Sequence, residues 1–502
     1  MTELHWVITK ELQDETTSYL FQKSKSQTMP ERGFLGVIYA GNGCIRRSLF
    51  LRKIIPQQAN WVRWTNEGLM FEAVYFSKAL NEISDSRPGA GLIMVHSHPL
   101  FGGSIDKPPI ASDPDLLHEK RLLYYLARAL PIGAPVASGI VDGSGAWRVR
   151  EYWWYRPKTL DDIKKARYRM DKSFFKDACA LRIVSSDRVV VHKYRNYQIE
   201  INATAVDSTL LLWGKKGHLI LSNLRIGVAG LGGVGSIITE YLARLGVGEL
   251  VLVDYDIAKE ENRNRLIGLK RSEVGIPKIK FAARIARQAS TATAFKVRTF
   301  RGSVAEREGL KYLLDSDVIL NAADSAFARQ VLDHVSYAYL IPVIDGGTIL
   351  KVKKDGTVYG KSQITKAGLG NACLECSGSY TQEDATLSRE DPSMQGPEAY
   401  IQAAEQGGKK PPRGPSVISH NGLVAALMVQ RLLTTVLGFP PYGKRGEQRY
   451  YVQAGNLQWM LATECKPDCP KREWIGLGDS HPVPVGIDLA WKQMREEESS
   501  IA

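Results

Sequence analysis

The sequence predicts an α/β protein of two or three domains, with a Rossmann-like C-terminal half, and three stretches decide this. Between Leu224 and Lys278 an apolar run, Ile226 to Ala229, enters Gly230, Gly232 and Gly235 in G-x-G-x-x-G spacing. A helix-period segment then reaches Leu245, and a second strand, Glu249 to Val253, ends on Asp254. Strand, glycine turn, helix, strand and acid is the order of a nucleotide-binding βαβ unit. Upstream, the strand GLIMV (91–95) runs into His96-Ser97-His98-Pro99. Downstream, Cys373-x-x-Cys376 is matched by Cys465-x-x-x-Cys469.

In the βαβ unit the glycines 230, 232, 233 and 235 let the backbone approach a phosphate, and the helix start offers free N–H groups to it. Asp254 can accept from ribose hydroxyls. Asp254-Tyr255-Asp256 then leads to Asn262, Arg265 and Lys278, where a dehydrogenase would continue with apolar sheet. Arg and Lys neutralise a triphosphate and the charge that develops when its α-phosphorus is attacked. With these residues in this order, the stretch resembles the ThiF/MoeB-type adenylating enzymes, which include the ubiquitin-activating enzymes. The resemblance implies that Mg²⁺-ATP is bound by the glycine turn, Asp254, Asp256, Asn262, Arg265 and Lys278, and that Asp324 holds Mg²⁺. One departure is Leu266, where the family often has Gln. The rival reading is a generic NAD-binding Rossmann fold with a charged loop.

The first domain carries different chemistry. Residues 34–41 (FLGVIYAG) read as a buried strand entered by Glu31-Arg32-Gly33, and 68–83 have helical apolar spacing. Alternate residues of a strand face one side, so His96 and His98 can bind one metal ion together. Ser112-Asp113-Pro114-Asp115 predicts a helix start with Asp113 as N-cap and Asp115 in the first turn, a rigid place for a third ligand. Two imidazoles and a carboxylate leave a tetrahedral Zn²⁺ one position for water. Glu31 is then the candidate general base and Ser112 a candidate oxyanion donor. Glu31, His96-x-His98-Pro99 and Ser112-x-x-Asp115 together look like the JAMM (JAB/MPN) metalloproteases, which implies an α/β/α Zn²⁺ peptidase domain. The connection FGGSIDKPPIA is longer than in that family, which leaves Asp113 and Asp106 as alternatives to Asp115. His118 reads as a surface or packing residue.

Composition bounds the rest. The chain has 502 residues, formal net charge +13 and six cysteines. No apolar run approaches the ~20 residues of a membrane span, and the N-terminus lacks a signal pattern; a cytoplasmic protein is expected. The basic charge comes without a nucleic-acid-reading motif and suits anionic nucleotides and acidic protein partners. Cys373, Cys376, Cys465 and Cys469 can close a structural Zn²⁺ site with no open position, and the adenylating family has zinc-binding cysteine pairs at these places. Cys44 and Cys179 need no function as small buried hydrophobes.

The expected organisation is a JAMM-like domain over 1–155, a basic connector over 156–221 containing a charged helix, an adenylation domain over 222–480, and a C-terminal tail over 481–502 that is a short helix or frayed. Arg188 and Arg195 are candidates for a basic residue supplied across a dimer. Residues 377–415, polar and rich in Gly and Pro, read as a long loop. In ubiquitin-activating enzymes this loop carries a thioester-forming cysteine; here it has none, and only hydroxyls such as Thr381, Thr386, Ser388 and Ser393 are present. The apolar helix after Pro415 implies, by resemblance, a homodimer interface. The function expected is a fusion that adenylates the C-terminal glycine of a ubiquitin-like protein and cleaves after that tail. By resemblance it works with a conjugating enzyme in a prokaryotic ubiquitin-like pathway, some of which serve phage defence. Sulfur-carrier activation and a non-catalytic scaffold are the alternatives.

Overall fold

A computed structural model describes the chain apart from residues 1, 22–30, 59, 66–67, 99–103, 154–173, 195–199, 391–415, 440–445, 462–463 and 502. Pro99, Arg195, Ser393 and the charged helix expected after residue 155 fall among these. The chain divides into two compact units, each discontinuous. The first is Met1–Ser185, Val190–Asn196 and Gly476–Pro482; the second is Ser186–Val189, Tyr197–Ile475 and Val483–Ala502.

In chain order the first unit contains β1 (Glu3–Thr9), α1 (Lys10–Leu20), β2 (Gly33–Asn42), β3 (Arg46–Ile54), β4 (Val62–Thr65), β5 (Gly68–Phe71), α2 (Ala73–Ser84), β6 (Gly91–His98), α3 (Asp113–Ala129), β7 (Val136–Asp142), β8 (Trp147–Trp153), β9 (Phe174–Asp177), β10 (Ala180–Val184) and β11 (Val189–Lys193). All but β4 and β5 form one sheet in the order β11-β10-β1-β3-β2-β6-β7-β8-β9. β6 lies inside it, antiparallel to β2 and parallel to β7, and is buried along its whole length. That explains a strand that reads as a near-continuous apolar run before its histidines. The core includes Trp6, Phe34, Ile38, Leu49, Ile93, Val95 and Trp147.

Three expectations need correction here. The first domain does not end near residue 155: β9 pairs with β8, and β10 adds in parallel to the free side of β1. The fully buried run ALRIV extends the sheet between β1 and β11, a long-range pairing that local composition does not reveal. The helical spacing read over 68–83 begins only at Ala73, because 68–71 pair with 62–65 as a hairpin. Finally, residues 476–482, placed by the sequence in the adenylation domain and its tail, belong to the first unit. Asn42 donates to Asp479 from its backbone (3.3 Å) and from Nδ2 (2.7 Å), and a Cβ on Gly478 would meet the Ala40 carbonyl.

The second unit follows as α4 (Asp207–Asn223), β12 (Arg225–Ala229), α5 (Gly233–Arg244), β13 (Glu249–Val253), α6 (Lys278–Ala289), β14 (Lys296–Phe300), α7 (Arg307–Leu313), β15 (Val318–Asn321), α8 (Ala326–Ala338), β16 (Val343–Val352), β17 (Val358–Ala367), α9 (Gln382–Glu390), α10 (Ile418–Leu437), β18 (Gly446–Tyr451), β19 (Asn456–Leu461) and α11 (Leu489–Ile501). The sheet order is β14-β13-β12-β15-β16-β17-β18-β19, parallel through β16 and antiparallel beyond. Relative to β12 the parallel part runs 3-2-1-4-5, so the strand order reverses between β12 and β15. In an open α/β sheet the crevice at that reversal is where ligands bind.

Part of the loop expected over 377–415 is helical, α9, started by Thr381, whose Oγ1 accepts from the Asp384 N–H (3.0 Å). In α10 much of the apolar face, including Val424, Met428, Leu432 and Val436, is buried within the unit, where the helix packs on α5, β16 and β17. Its hydrophobicity is therefore largely core. No helix among the described residues is long and apolar enough to cross a membrane.

Candidate functional site

In the first unit, β6 ends with His96 and His98 on one side, and α3 brings Asp115 to them. His96 Nε2 and His98 Nε2 are 3.2 Å apart; Asp115 Oδ1 is 3.4 Å from the first and Asp115 Oδ2 is 3.4 Å from the second. Zn–N and Zn–O bonds of about 2.0–2.2 Å put tetrahedral neighbours about 3.3–3.6 Å apart, so the three donors fit one Zn²⁺. The alternatives fall away: Asp106 Oδ1 is 2.7 Å from His192 Nδ1, and Asp113 is exposed on the first turn.

The N-cap of α3 is Ser112, one residue before the Asp113 that the sequence suggested. The Asp115 N–H donates to Ser112 Oγ (3.3 Å), while the Ser112 N–H (2.8 Å) and hydroxyl (2.7 Å) donate to Asp115 Oδ2. A reciprocal capping box thus locks the carboxylate. In this geometry the Ser112 hydroxyl orients Asp115, a use different from the expected oxyanion donor. Burial alone would push the Asp115 carboxyl up; the two imidazoles and Ser112 outweigh it and hold it well below the usual carboxylate range.

Glu31 stands at the entrance of β2, where Gly33 pairs with His96. Arg32 is tied to Ser97 by its N–H to Ser97 Oγ (2.9 Å) and by its carbonyl, which accepts from the Ser97 N–H (2.8 Å). Burial raises the Glu31 carboxyl and the nearby histidines partly offset the rise, the direction that suits a general base. Sequence reasoning missed Glu119, one turn beyond Asp115 on α3. It is buried, ion-paired with Arg150, and accepts from the Ser138 hydroxyl (3.1 Å). The helical i, i+4 spacing from Asp115 was the available signal.

The second unit places the glycine turn at the reversal of strand order. Gly230 has φ +83°, and a Cβ there would sit 2.7 Å from the Ala323 nitrogen; a Cβ on Gly232 would meet nothing within 4 Å. The first glycine lets β12 pass β15 closely, and the second borders open space beside the start of α5, whose N-cap makes no side-chain hydrogen bond. Asp254 accepts from the Leu231 N–H (2.6 Å) and the Asp256 N–H (2.7 Å), so it braces the turn as well as facing it. Burial, helped by the Asp256 charge and partly offset by Lys278 and the two backbone N–H groups, pushes its carboxyl up to about 6.

Lys278 Nζ lies 2.6 Å from Asp256 Oδ2. Burial would pull its ammonium down, but Asp254 and Asp256 outweigh that and keep it charged. Arg265 Nη1 donates to the Glu261 carbonyl (2.7 Å) and Asn264 Oδ1 (3.0 Å), and its Cδ is 3.6 Å from where a Cβ on Gly233 would stand. Asn262 is buried, its Oδ1 accepting from the Lys259 N–H (3.0 Å), so it shapes the loop. Asp324 is exposed just beyond β15. Leu266 packs with Ala258, Phe281 and Ile285, and an apolar residue there completes a small core. Asn421 of α10, against Gly233, and Arg329, which donates to Asp345 (3.1 Å) beside Asp324, were not singled out from sequence.

The four cysteines converge, all sulfurs within 4.8 Å of one another and Cys373 Sγ 3.9 Å from Cys469 Sγ. Zn–S bonds of about 2.3 Å put tetrahedral sulfurs about 3.8 Å apart, so this donor set also fits Zn²⁺. The Cys373 N–H donates to Cys465 Sγ (3.2 Å) and the Cys376 N–H to Cys373 Sγ (3.2 Å). Buried Lys471, also missed from sequence, lies 3.3 Å from Cys373 Sγ and is paired with Asp333 (2.9 Å) and Glu375 (2.8 Å). Its ammonium donates to Cys373 Sγ, which would favour the thiolate that Zn²⁺ binds.

The ThiF family matches residues 206–471, more than half of the chain. The chain belongs to the ThiF family. Among curated ThiF relatives, the SAMP-activating enzyme E1 of Haloferax volcanii is 32% identical over 152 residues, 29% of this chain and 56% of that protein. Ubiquitin-like modifier-activating enzyme 5 of Xenopus laevis is 26% identical over 261 residues, covering 49% and 57%. Adenylyltransferase and sulfurtransferase MOCS3 of Dictyostelium discoideum is 27% identical over 137 residues, covering 27% and 32%. The chain thus spans from 32% to 57% of the length of these three relatives. The ThiF match accounts for the glycine turn, the charged loop and the cysteine pairs, all of which lie inside it.

Proposed function

We propose that the protein is a two-site enzyme acting on the C-terminal glycine of a ubiquitin-like protein. The observation that carries this reading is the presence in one chain of a ThiF unit with Arg265, Lys278 and Asp324 around its glycine turn, and of a second unit that clusters His96, His98 and Asp115 beside Glu31. In the ThiF unit the glycine turn, Asp254 and Asp256 would hold ATP, with Asp254 taking the ribose, and Asp324 would hold the Mg²⁺ that neutralises its phosphates. The tail carboxylate attacks the α-phosphorus, the bond to pyrophosphate breaks, and an acyl-adenylate forms. Arg265 and Lys278 offset the charge that develops on the phosphates.

The first unit is a JAMM-like peptidase or isopeptidase that cuts after the same glycine. His96, His98 and Asp115 would hold Zn²⁺, which when bound would supply Lewis acidity towards the scissile carbonyl and lower the pKa of water. Glu31 takes the proton from the attacking water and returns it to the leaving amine. Ser112 keeps Asp115 aimed. Such cleavage either exposes a precursor's carboxylate for adenylation or removes the modifier from a target, in a conjugation pathway of the ubiquitin type.

In this reading the acyl-adenylate passes to an acceptor on another molecule. Residues 377–415 have no cysteine, Ser388 is buried against Ser325 (2.9 Å), and the Thr386 hydroxyl donates to the Gln382 carbonyl (2.9 Å). Sulfur-carrier activation, with sulfide as acceptor, is the second reading, favoured by that missing cysteine and by relatives named as sulfurtransferases. The deciding experiment is ATP–pyrophosphate exchange with a Gly-ended ubiquitin-like protein, followed by mass spectrometry of the product. Exchange that needs the terminal glycine is expected; none with any such partner would sink the adenylation reading. Metal analysis is expected to give about two Zn²⁺ per chain, with one lost in the His96→Ala/His98→Ala double variant and the other retained.

A further inference from the structure

The sequence predicts a short helix or a frayed tail at the C-terminus; in the structure this segment is seated on the loop that carries the nucleotide-site carboxylates. Gly486 donates its N–H to the Ala305 carbonyl (3.1 Å) and Asp488 donates its own to Glu306 Oε1 (3.3 Å). Asp488 starts α11, its Oδ1 accepting from the Trp491 N–H (3.4 Å), while its Oδ2 accepts from the Ser303 hydroxyl. Trp491 is 8% exposed, and its ring stacks on Tyr255 with centroids 5.7 Å apart and planes inclined by 26°. The guanidinium groups of Arg301 and Arg495 lie 5.4 Å and 4.9 Å from the indole centroid. Arg301 also donates from Nε to the Tyr255 carbonyl (3.3 Å) and pairs with Glu498.

Tyr255 is the residue between Asp254 and Asp256. Its ring is held by Trp491 and its carbonyl by Arg301, which is itself held by the indole and by Glu498 of α11. The turn from Asp254 to Asp256 is also closed on the glycine side, through the Leu231 and Asp256 N–H groups that Asp254 accepts. One short turn therefore joins the phosphate-facing glycines to the C-terminal helix. Most of the described side chains of α11 are polar, and Trp491 is the only buried one among them, so the indole is the main apolar contact beside the polar ones at Asp488 and Glu498.

We propose that Trp491 is a positioning residue of the nucleotide site: α11, docked through Trp491 on Tyr255, presets the Asp254–Asp256 turn for Mg²⁺-ATP. The inference rests on the adenylation reading. Trp491 touches no reacting atom, so its effect falls on nucleotide affinity. Coupling is reciprocal, so bound nucleotide also tightens α11 onto the loop.

The test compares the full chain with Trp491→Ala and Trp491→Phe. Mg²⁺-ATP binding is measured by calorimetry, and pyrophosphate exchange across a range of ATP concentrations. Loss of the stack and of both guanidinium contacts is expected to raise Kd and KM for ATP roughly tenfold, with kcat at saturating ATP within about twofold of wild type and Trp491→Phe close to wild type. Hydrogen exchange in α11 of the wild-type chain is expected to slow when Mg²⁺-ATP is added. Unchanged ATP affinity in Trp491→Ala would overturn the proposal, as would a fall in kcat with KM unaltered. If that variant does not fold, the hydrogen-exchange arm decides: equal protection of α11 with and without nucleotide overturns it. A wild-type chain that binds no Mg²⁺-ATP removes the adenylation reading and this inference together, whereas binding that ignores Trp491 removes only the inference.

Discussion

Glu31→Gln is expected to lower cleavage of a ubiquitin-like tail by about 10²–10⁴-fold, the usual contribution of a positioned general base, and to leave the Zn²⁺ content of the chain unchanged. Glutamine keeps the size and hydrogen-bonding reach of the side chain but cannot take a proton. Glu31 lies outside the His96, His98 and Asp115 triangle, so the metal should stay. This combination separates a base from a ligand: a fourth ligand would lose metal and activity together. The assay is cleavage of a ubiquitin-like protein fused through its terminal glycine to a reporter, with zinc measured on the same sample. Full activity in Glu31→Gln, with zinc present, would rule out Glu31 as the base.

The second large effect is expected at Lys278. Lys278→Met is expected to reduce pyrophosphate exchange by about 10²–10³-fold, in the range found when one preorganised charge stabiliser is removed. Lys278, itself buried, holds its Nζ 2.6 Å from Asp256 Oδ2, where its charge is screened less than on an open surface. Methionine keeps the stem and removes the charge, leaving Asp254 and Asp256 facing each other without a cation. A weaker ATP complex is expected as well, because two carboxylates then repel the phosphates. Peptide cleavage by the first unit is expected to stay within about twofold. Exchange at the wild-type rate would place the charge stabiliser elsewhere.

Much of both sites was legible because their chemistry is local in sequence. A strand that alternates His96 and His98, a helix start that carries Asp115, and a glycine turn followed by Asp254, Arg265 and Lys278 each put their groups together through backbone geometry alone. What stayed hidden depends on partners far along the chain. Strand β10 reads as an ordinary apolar run until it is seen beside β1, and Lys471 reads as a surface lysine until Asp333 and Glu375 enclose it. Trp491 sits in a segment whose composition suggests a solvated end, and its burial is explained by Tyr255 and Arg301, far along the chain. The start of α3 was off by one residue because Ser112 and Asp113 are both good caps, and the reciprocal bond with Asp115 selects the serine.

The alternation of the two units along the chain bears on how the protein is made. Residues 476–482 belong to the unit begun at the N-terminus, and Asp479 supplies the hydrogen bonds at the end of β2. During synthesis that piece leaves the ribosome after nearly all of the ThiF unit, so the first unit stays unfinished until residue 482 has emerged. No single cleavage between the halves would release two intact bodies, and a fragment stopping at residue 185 would lack its final clasp.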